Sequence, residues 1–401
     1  MRDLPLDGVV VVELSDSASA PFAGRILAAL GADVWKIERP TGDSARGWGP
    51  SKWKGSGAAF HAINQGKRFI SLDIKDPGDL GTLHRLIAEH ADVFFHNLRP
   101  GSAAQYGLDP DSLRLTKPEL VCCEVGAFGN VGPLNQAPGY DPLMQAFAGI
   151  MSVTGEEGQA PVRAGVSIVD FGAGMWAVIG ILAALCRRQR KHVGATVNSS
   201  LLETAISWMS VGIANYNADG DTGGRHGSGV GFIVPHRAYD TADGHLVVSC
   251  ANDRLFARLC AALNRPEWST DERFATNDAR LRNRGQIDAL IGGRLAEHPR
   301  AHWQEVLGAA GLPCAPVQTT SELVNHEQTR ALGIIGKPSG DDLALVGLPL
   351  LFNGRRPGPL SAARDVGEDN ADLDKLLASR RGRREVQPSN GEAVPEAGIA
   401  E

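Results

Sequence analysis

The run Val9-Val-Val-Val-Glu-Leu14 is too short for a helix and too continuously apolar for a strand with one wet face. It reads as a strand buried on both sides. Pro21 to Leu30 follows with helical spacing, opened by proline in its first turn and closed by Gly31. Ala32 to Glu38 is a second strand and Arg68 to Asp73 a third. Pro77 to His90 is then a helix, Ala91 to His96 a strand, and Leu120 to Val125 another. Strands and helices alternating through short joins predict a parallel sheet covered by helices. Further on, Asp170 to Arg187 is small or apolar nearly all round, which predicts a buried helix, and residues 198–214 predict another. Asn217 to Gly231 is glycine-rich and breaks the pattern. Leu246 to Ser249 reads as a strand, followed by amphipathic helices to Arg330.

The predicted fold class is therefore α/β. A large Rossmann-like parallel-sheet lobe spans residues 1–215 and is completed by 331–379; a smaller α+β lobe spans 228–330. Residues 380–401 hold few large apolar side chains and are expected to be a disordered tail. A length of 401 residues suits two lobes, and 43% hydrophobic with 21% charged residues excludes a fibrous or mostly disordered chain. No apolar run is read as a membrane span, and Arg2, Asp3, Asp7 and Glu13 around the first strand argue against a secretory signal. A net charge of -6 argues against nucleic acid as a partner. The 6 cysteines show no CxxC and no metal-ligand spacing, so a metal-free cytoplasmic enzyme is expected.

The first strand should be followed by GxGxxG if a dinucleotide bound there. Instead Ser15-Asp-Ser-Ala-Ser-Ala-Pro21 follows, which disfavours a nicotinamide enzyme. Several other segments together carry a different signal. They are Ala20-Pro21, Leu30-Gly-Ala-Asp-Val-Trp-Lys-Ile-Glu-Arg39, Gly42-Asp43, Arg46-Gly-Trp48, Lys67-Arg68 and Ser71-Leu-Asp-Ile-Lys75. Asn97-Leu-Arg-Pro-Gly101, Gly139-Tyr-Asp141 and the run from Gly165 to Leu185 continue the series. In order and spacing these resemble the family III CoA-transferases over most of residues 5–350.

That resemblance implies transfer of CoA from an acyl-CoA donor, perhaps succinyl-CoA, to a small carboxylic acid, with the CoA thioester as substrate and no permanently bound cofactor. It implies Asp170 as nucleophile, working through an aspartyl anhydride and an aspartyl-CoA thioester. A helix start at Asp170 should keep its carboxylate ionised through the free N–H groups and the dipole; the competing reading is a plain N-cap. The resemblance also implies CoA contacts at Ser17, Ala18, Ser19, Arg39, Leu72, Lys75, Asn97 and Leu98. Two basic positions of the family's CoA site fall here on Gln105 and Pro138. Gly227, Gly229 and Gly231 match a loop that covers the intermediate, and Trp48 matches a tryptophan near the acyl pocket. Acyl-CoA racemases of the same fold carry histidine where this chain has Tyr140, and tyrosine is a poor base at neutral pH. A non-catalytic CoA-binding protein is a further alternative, disfavoured by Asp170. Family members form interlocked homodimers, and a homodimer is expected here.

Overall fold

The computed structural model describes residues 4–338 and 341–379; the expected tail at 380–401 lies outside them. Six parallel strands form the main sheet: β1 (Val10–Leu14), β2 (Asp33–Glu38), β3 (Arg68–Ser71), β4 (Val93–His96), β5 (Val121–Gly126) and β6 (Ala195–Ser200). Their order is β3-β2-β1-β4-β5-β6, so the chain winds outward one way from β1 to β3 and then the other way from β4 to β6. The direction reverses between β1 and β4, and in open α/β sheets the crevice at the strands' carboxyl ends beside such a reversal receives ligands.

Alternation along β1 splits the core in two. Val10, Val12 and Leu14 face the layer that contains Leu83, Leu86 and Ile87 of helix Pro77–His90. Val11 faces the opposite layer, built on α1 (Ser19–Ala29) and a long helix, Ile168–Lys191. Glu13 shares Val11's face by the two-residue period, so a carboxylate is buried under α1. Gly24 of α1 makes room for it: a Cβ there would lie 1.8 Å from Glu13 Oε2.

Residues 195–200, read from sequence partly as the start of a helix, are instead the edge strand β6. Helix resumes only at Leu201–Trp208 and Ser210–Asp219. The helix expected from Asp170 begins two residues earlier, at Ile168. By length and composition that helix is apolar enough to cross a membrane, contrary to the sequence expectation, but half of it is buried against the sheet and α1.

A three-stranded antiparallel sheet, His236–Thr241, Gly244–Ser249 and Cys314–Pro316, carries a separate core with Phe256, Leu259, Ile287, Ile291 and Trp303. The chain then returns to the first sheet. Asp369 accepts from Phe69 N at 2.8 Å, Asn370 accepts from Ser71 N at 2.9 Å, and Asp372 pairs with Arg68 at 3.0 Å.

Two glycines in helices should respond oppositely to alanine. Gly24→Ala drives a methyl into the Glu13 carboxylate and should cost about 1–3 kcal/mol, more than the ~1 kcal/mol gained in helix propensity. Gly81→Ala, where a Cβ meets nothing within 4 Å, should stabilise by about 0.5–1 kcal/mol. Urea unfolding of the two variants checks both signs.

Candidate active site

The loop after β1 enters the crevice between β1 and β4. Asn97, just past β4, clamps it from the side: its Oδ1 accepts from Asp16 N at 3.0 Å and its Nδ2 donates to Asp16 O at 2.7 Å. Ser17 sits at φ +74, in the left-handed region that side chains disfavour. Asp43 holds it there, accepting from Ser17 N at 3.1 Å and from Ala45 N at 2.8 Å through the same oxygen.

Beneath the loop lies a buried ionic network. Lys36 Nζ reaches Asp43 at 2.9 Å and Glu13 at 3.2 Å, and donates to Ser15 O at 2.9 Å. Lys67 Nζ reaches Glu13 at 2.8 Å and donates to Asn64 Oδ1 and Pro21 O, both at 2.8 Å. Burial opposes the charge on Lys36, but Glu13, Asp43 and Glu38 outweigh it and raise its pKa. For Lys67 burial wins over Glu13, and its pKa is pushed down to about 8. Burial works against the Asp43 carboxylate too, yet Lys36 holds it below its usual range.

The residues matched to CoA contacts divide into three kinds. Arg39 and Lys75 are exposed beside this loop's end of the sheet; Arg39 pairs with Asp16 and donates from Nε to Gly42 O at 3.1 Å. Ser17, Asn97 and Leu98 are half-buried at the crevice. Ala18, Ser19 and Leu72 are buried, and Leu72 gives its side chain to the core and its N–H to Glu38 O. Its carbonyl is what remains to meet a ligand.

Beside the crevice, between the ends of β4 and β5, is a cavity of about 200 Å³. His96, Arg99, Glu124, Asn130, Asn135 and Gln136 supply its polar lining. His96 is buried, with Nε2 3.5 Å from Glu124 Oε1, and it holds the Glu124 carboxyl below its usual range. Gln105 and Pro138 are exposed and do not line this cavity. Leu98, Arg99, Pro100 and Gly101 of the quoted motif Asn97-Leu-Arg-Pro-Gly101 all line it, Arg99 being the one charged side chain among them; His96 and Glu124 meet only when the strands pair.

Asp170 is the third residue of the long helix and not its cap. Asp141 caps it instead: its Oδ2 accepts from Val169 N at 2.7 Å and from Asp170 N at 3.1 Å. The Asp170 carboxylate accepts no hydrogen bond among the described residues, and burial, helped by the Asp141 charge, pushes its pKa up to about 7. The expectation that the helix start keeps Asp170 ionised is thus reversed: burial and the Asp141 charge raise its pKa, and the N–H groups that could oppose them are taken by Asp141. Asp170 still lies at the carboxyl end of the sheet. Ser199 of β6 donates to Ala173 O at 3.0 Å, and Phe171 stacks against Phe22 of α1 with ring centroids 4.5 Å apart.

Tyr140 is exposed and immediately precedes Asp141, so the cap ties it to the start of the Asp170 helix. Trp48 is partly exposed after the turn Ser44–Gly47, with no hydrogen bond or ring contact to Asp170. In Gly227–Gly231, Gly227 N donates to Gly155 O and Gly229 N to His226 O, each at 2.9 Å. Gly227 lies against the Glu156 carboxylate, and Gly231 lies against the His226 ring. The Gly227 bond ties the loop to the 155–156 segment, and neither bond reaches Asp170. Among the described residues no group of three or more His, Cys, Asp or Glu is placed to hold a metal ion.

Residues 6–370 match the sequence profile described as CoA-transferase family III. The chain is 32% identical to succinyl-CoA:glutarate CoA-transferase of Mus musculus, covering 86% of this chain and 79% of that one. It is 33% identical to acetyl-CoA:oxalate CoA-transferase of Acetobacter aceti, covering 94% and 96%. Among solved structures, a CAIB/BAIF family protein from Brucella suis superposes with a TM-score of 0.87 at 34% identity, covering 94% of this chain and 100% of that one. Likeness of sequence along nearly the whole length, on the same parallel-sheet fold, places the chain among the enzymes of CoA-transferase family III.

Proposed function

We propose that this enzyme moves CoA from succinyl-CoA to a small carboxylic acid through covalent intermediates on Asp170. The observation that carries the reading is Asp170 itself, a partly buried carboxylate with no hydrogen-bond donor of its own and a pKa raised to about 7. Basicity and nucleophilicity rise together, so such a carboxylate is better fitted to attack than one saturated with donors. Relatives that act on succinyl-CoA, with glutarate or with D-citramalate, support the donor.

In the proposed cycle a carboxylate oxygen of Asp170 attacks the thioester carbonyl. The C–S bond breaks, leaving an acyl-aspartyl anhydride and CoA thiolate. The thiolate attacks the aspartyl carbonyl, releases the donor acid as its carboxylate and leaves an aspartyl-CoA thioester. The acceptor carboxylate attacks that thioester and expels the thiolate again, which takes the acceptor's acyl group and frees Asp170. No proton or redox partner is consumed.

Arg39 and Lys75 are proposed to meet CoA phosphates, with Ser17 to Ser19, the Leu72 carbonyl, Asn97 and Leu98 shaping the nucleotide end. Arg99 has no side-chain partner among the described residues and opens on the cavity beside the crevice. It supports a replacement for the charge missing at Gln105 and Pro138. Exposed Met175, Trp176 and Ile179 on the long helix, with Val211 and Tyr216 beyond it, form an apolar surface that supports a second copy of the chain as its cover. A loop from that copy, Gly227–Gly231, is the proposed shield for the anhydride.

Five measurements test this reading. Asp170→Asn should fold and bind CoA yet lose transfer to background, and wild type quenched during turnover should carry its adduct on the Asp170 peptide. Retained turnover in the variant would overturn the covalent route. In wild type kcat/KM should fall tenfold per pH unit below about 7 and level off above it. Because the folded pKa lies above the unfolded one, ionisation of Asp170 costs stability as pH rises from about 4 to 7. Asp170→Asn should therefore be more stable than wild type at pH 8, by about 2–4 kcal/mol, and lose that advantage near pH 4. Finally, Lys75→Ala and Arg99→Ala should each raise KM by about 10-fold or more for every acyl-CoA alike, the scale of a charge-assisted hydrogen bond, and Arg39→Ala should raise it less because Asp16 already holds its guanidinium, with kcat little changed.

A further inference from the structure

Asp141 is 3% exposed and uses both oxygens. Oδ2 takes the first-turn N–H groups of Val169 and Asp170, while Oδ1 accepts from Gln145 Nε2 at 2.6 Å. Gln145 is itself fully buried, and its Oε1 accepts from Ala164 N at 2.8 Å, which fixes the segment leading into the Asp170 helix. Three pieces of chain therefore converge on one carboxylate: the helix Asp141–Phe147, the approach at Ala164 and the start of Ile168–Lys191. We propose that Asp141 is the positioning residue of this active site, occupying the helix N–H groups so that Asp170 cannot take them and setting a fixed negative charge beside the attacking oxygen. The inference rests on the reading of Asp170 as nucleophile.

A carboxylate at a helix start ordinarily collects N–H donors and becomes a weaker base. Here Asp141 collects them, and Asp170, in that same first turn, is left without donors. Among the described residues no other charge offers itself for the same role. On α1 the charged group is Arg25, whose guanidinium bonds Val346 O and Gly347 O. On Leu201–Trp208 it is Glu203, which accepts from Ser200 Oγ at 2.5 Å. On β5 it is Glu124, paired with His96, beside the buried thiols of Cys122 and Cys123. β6 carries none, and on Asp141–Phe147 Asp141 is the only titratable residue. Burial and Asp141 are the two causes that raise the Asp170 pKa.

The test compares pH profiles of kcat/KM for an acyl-CoA in wild type, Asp141→Asn and Asp141→Glu. Asparagine keeps an oxygen for the helix N–H groups and removes the charge; glutamate keeps the charge. The acid limb should move down by about one pH unit in Asp141→Asn, its plateau should fall as Asp170 becomes a weaker nucleophile, and KM should hold. In Asp141→Glu the limb should stay near its wild-type position. The limb's position does not depend on how much of a preparation is folded, and Asp141→Ser supplies a second uncharged cap should Asp141→Asn not be soluble. A limb left in place by the uncharged caps, with only a lower melting temperature, would make Asp141 a structural cap and overturn the inference. So would a limb that moves as far in Asp141→Glu as in Asp141→Asn. A wild type with no limb near pH 7 would instead remove the nucleophile reading on which it rests.

Discussion

A carboxylate in the middle of a buried strand is tolerable only if cations come with it, and Glu13 is met by both Lys36 and Lys67. Removing one member of such a set leaves an uncompensated charge in the interior, at a cost of about 3–5 kcal/mol. Much of the site geometry follows from satisfying Glu13. Gly24 must lack a side chain for α1 to lie across it. Lys67 must reach the Pro21 carbonyl, which pins the start of α1. Lys36 must share itself with Asp43, which in turn holds Ser17 in a conformation it would not adopt alone. The loop at the crevice is thus the upper surface of a charge network whose centre is out of reach of solvent.

At the other side of the site two carboxylates share one helix start and are driven apart in character. Asp141 is buried with hydrogen bonds to both oxygens; Asp170 is less buried and has none. The neighbour gathers the donors, and the one left without them becomes the stronger base. That division gives chemical meaning to the triplet Gly139-Tyr140-Asp141, whose third residue belonged to the quoted motif but was given no role there.

The central strands were readable because β1, β2, β4 and β5 are buried on both faces and their apolar runs are nearly continuous. β6 was not, since Ala195-Thr-Val-Asn-Ser-Ser200 is an edge strand whose exposed positions carry polar or small residues, and the apolar helix after it blurred the boundary. Asp170 was found through the resemblance of Gly165 to Leu185, and the helix starting near it was visible in the apolar pattern. What sequence order could not show were pairings across long separations. Asp141 and Asp170 are 29 residues apart in number, and the Lys67–Glu13 pair spans 54. His96 and Glu124 become neighbours only because β4 and β5 run in register. Glu13 and Lys36 stand inside apolar strands, and their mutual pairing across β1 and β2 is what allows those strands to be buried.

If Arg39 meets a CoA phosphate as proposed, its ion pair with Asp16 bears on how quickly that ligand leaves. Arg39 already has an internal counter-ion, so an arriving anion gains only the difference between two partners, and Asp16 stands ready to reclaim the guanidinium. Binding there is an exchange. For a transferase whose substrate and product carry the same nucleotide handle, firm retention of that handle would make departure the slow step. A resident carboxylate that competes for the anchor trades some affinity for faster clearance, and it does so on the loop that the buried network below holds still.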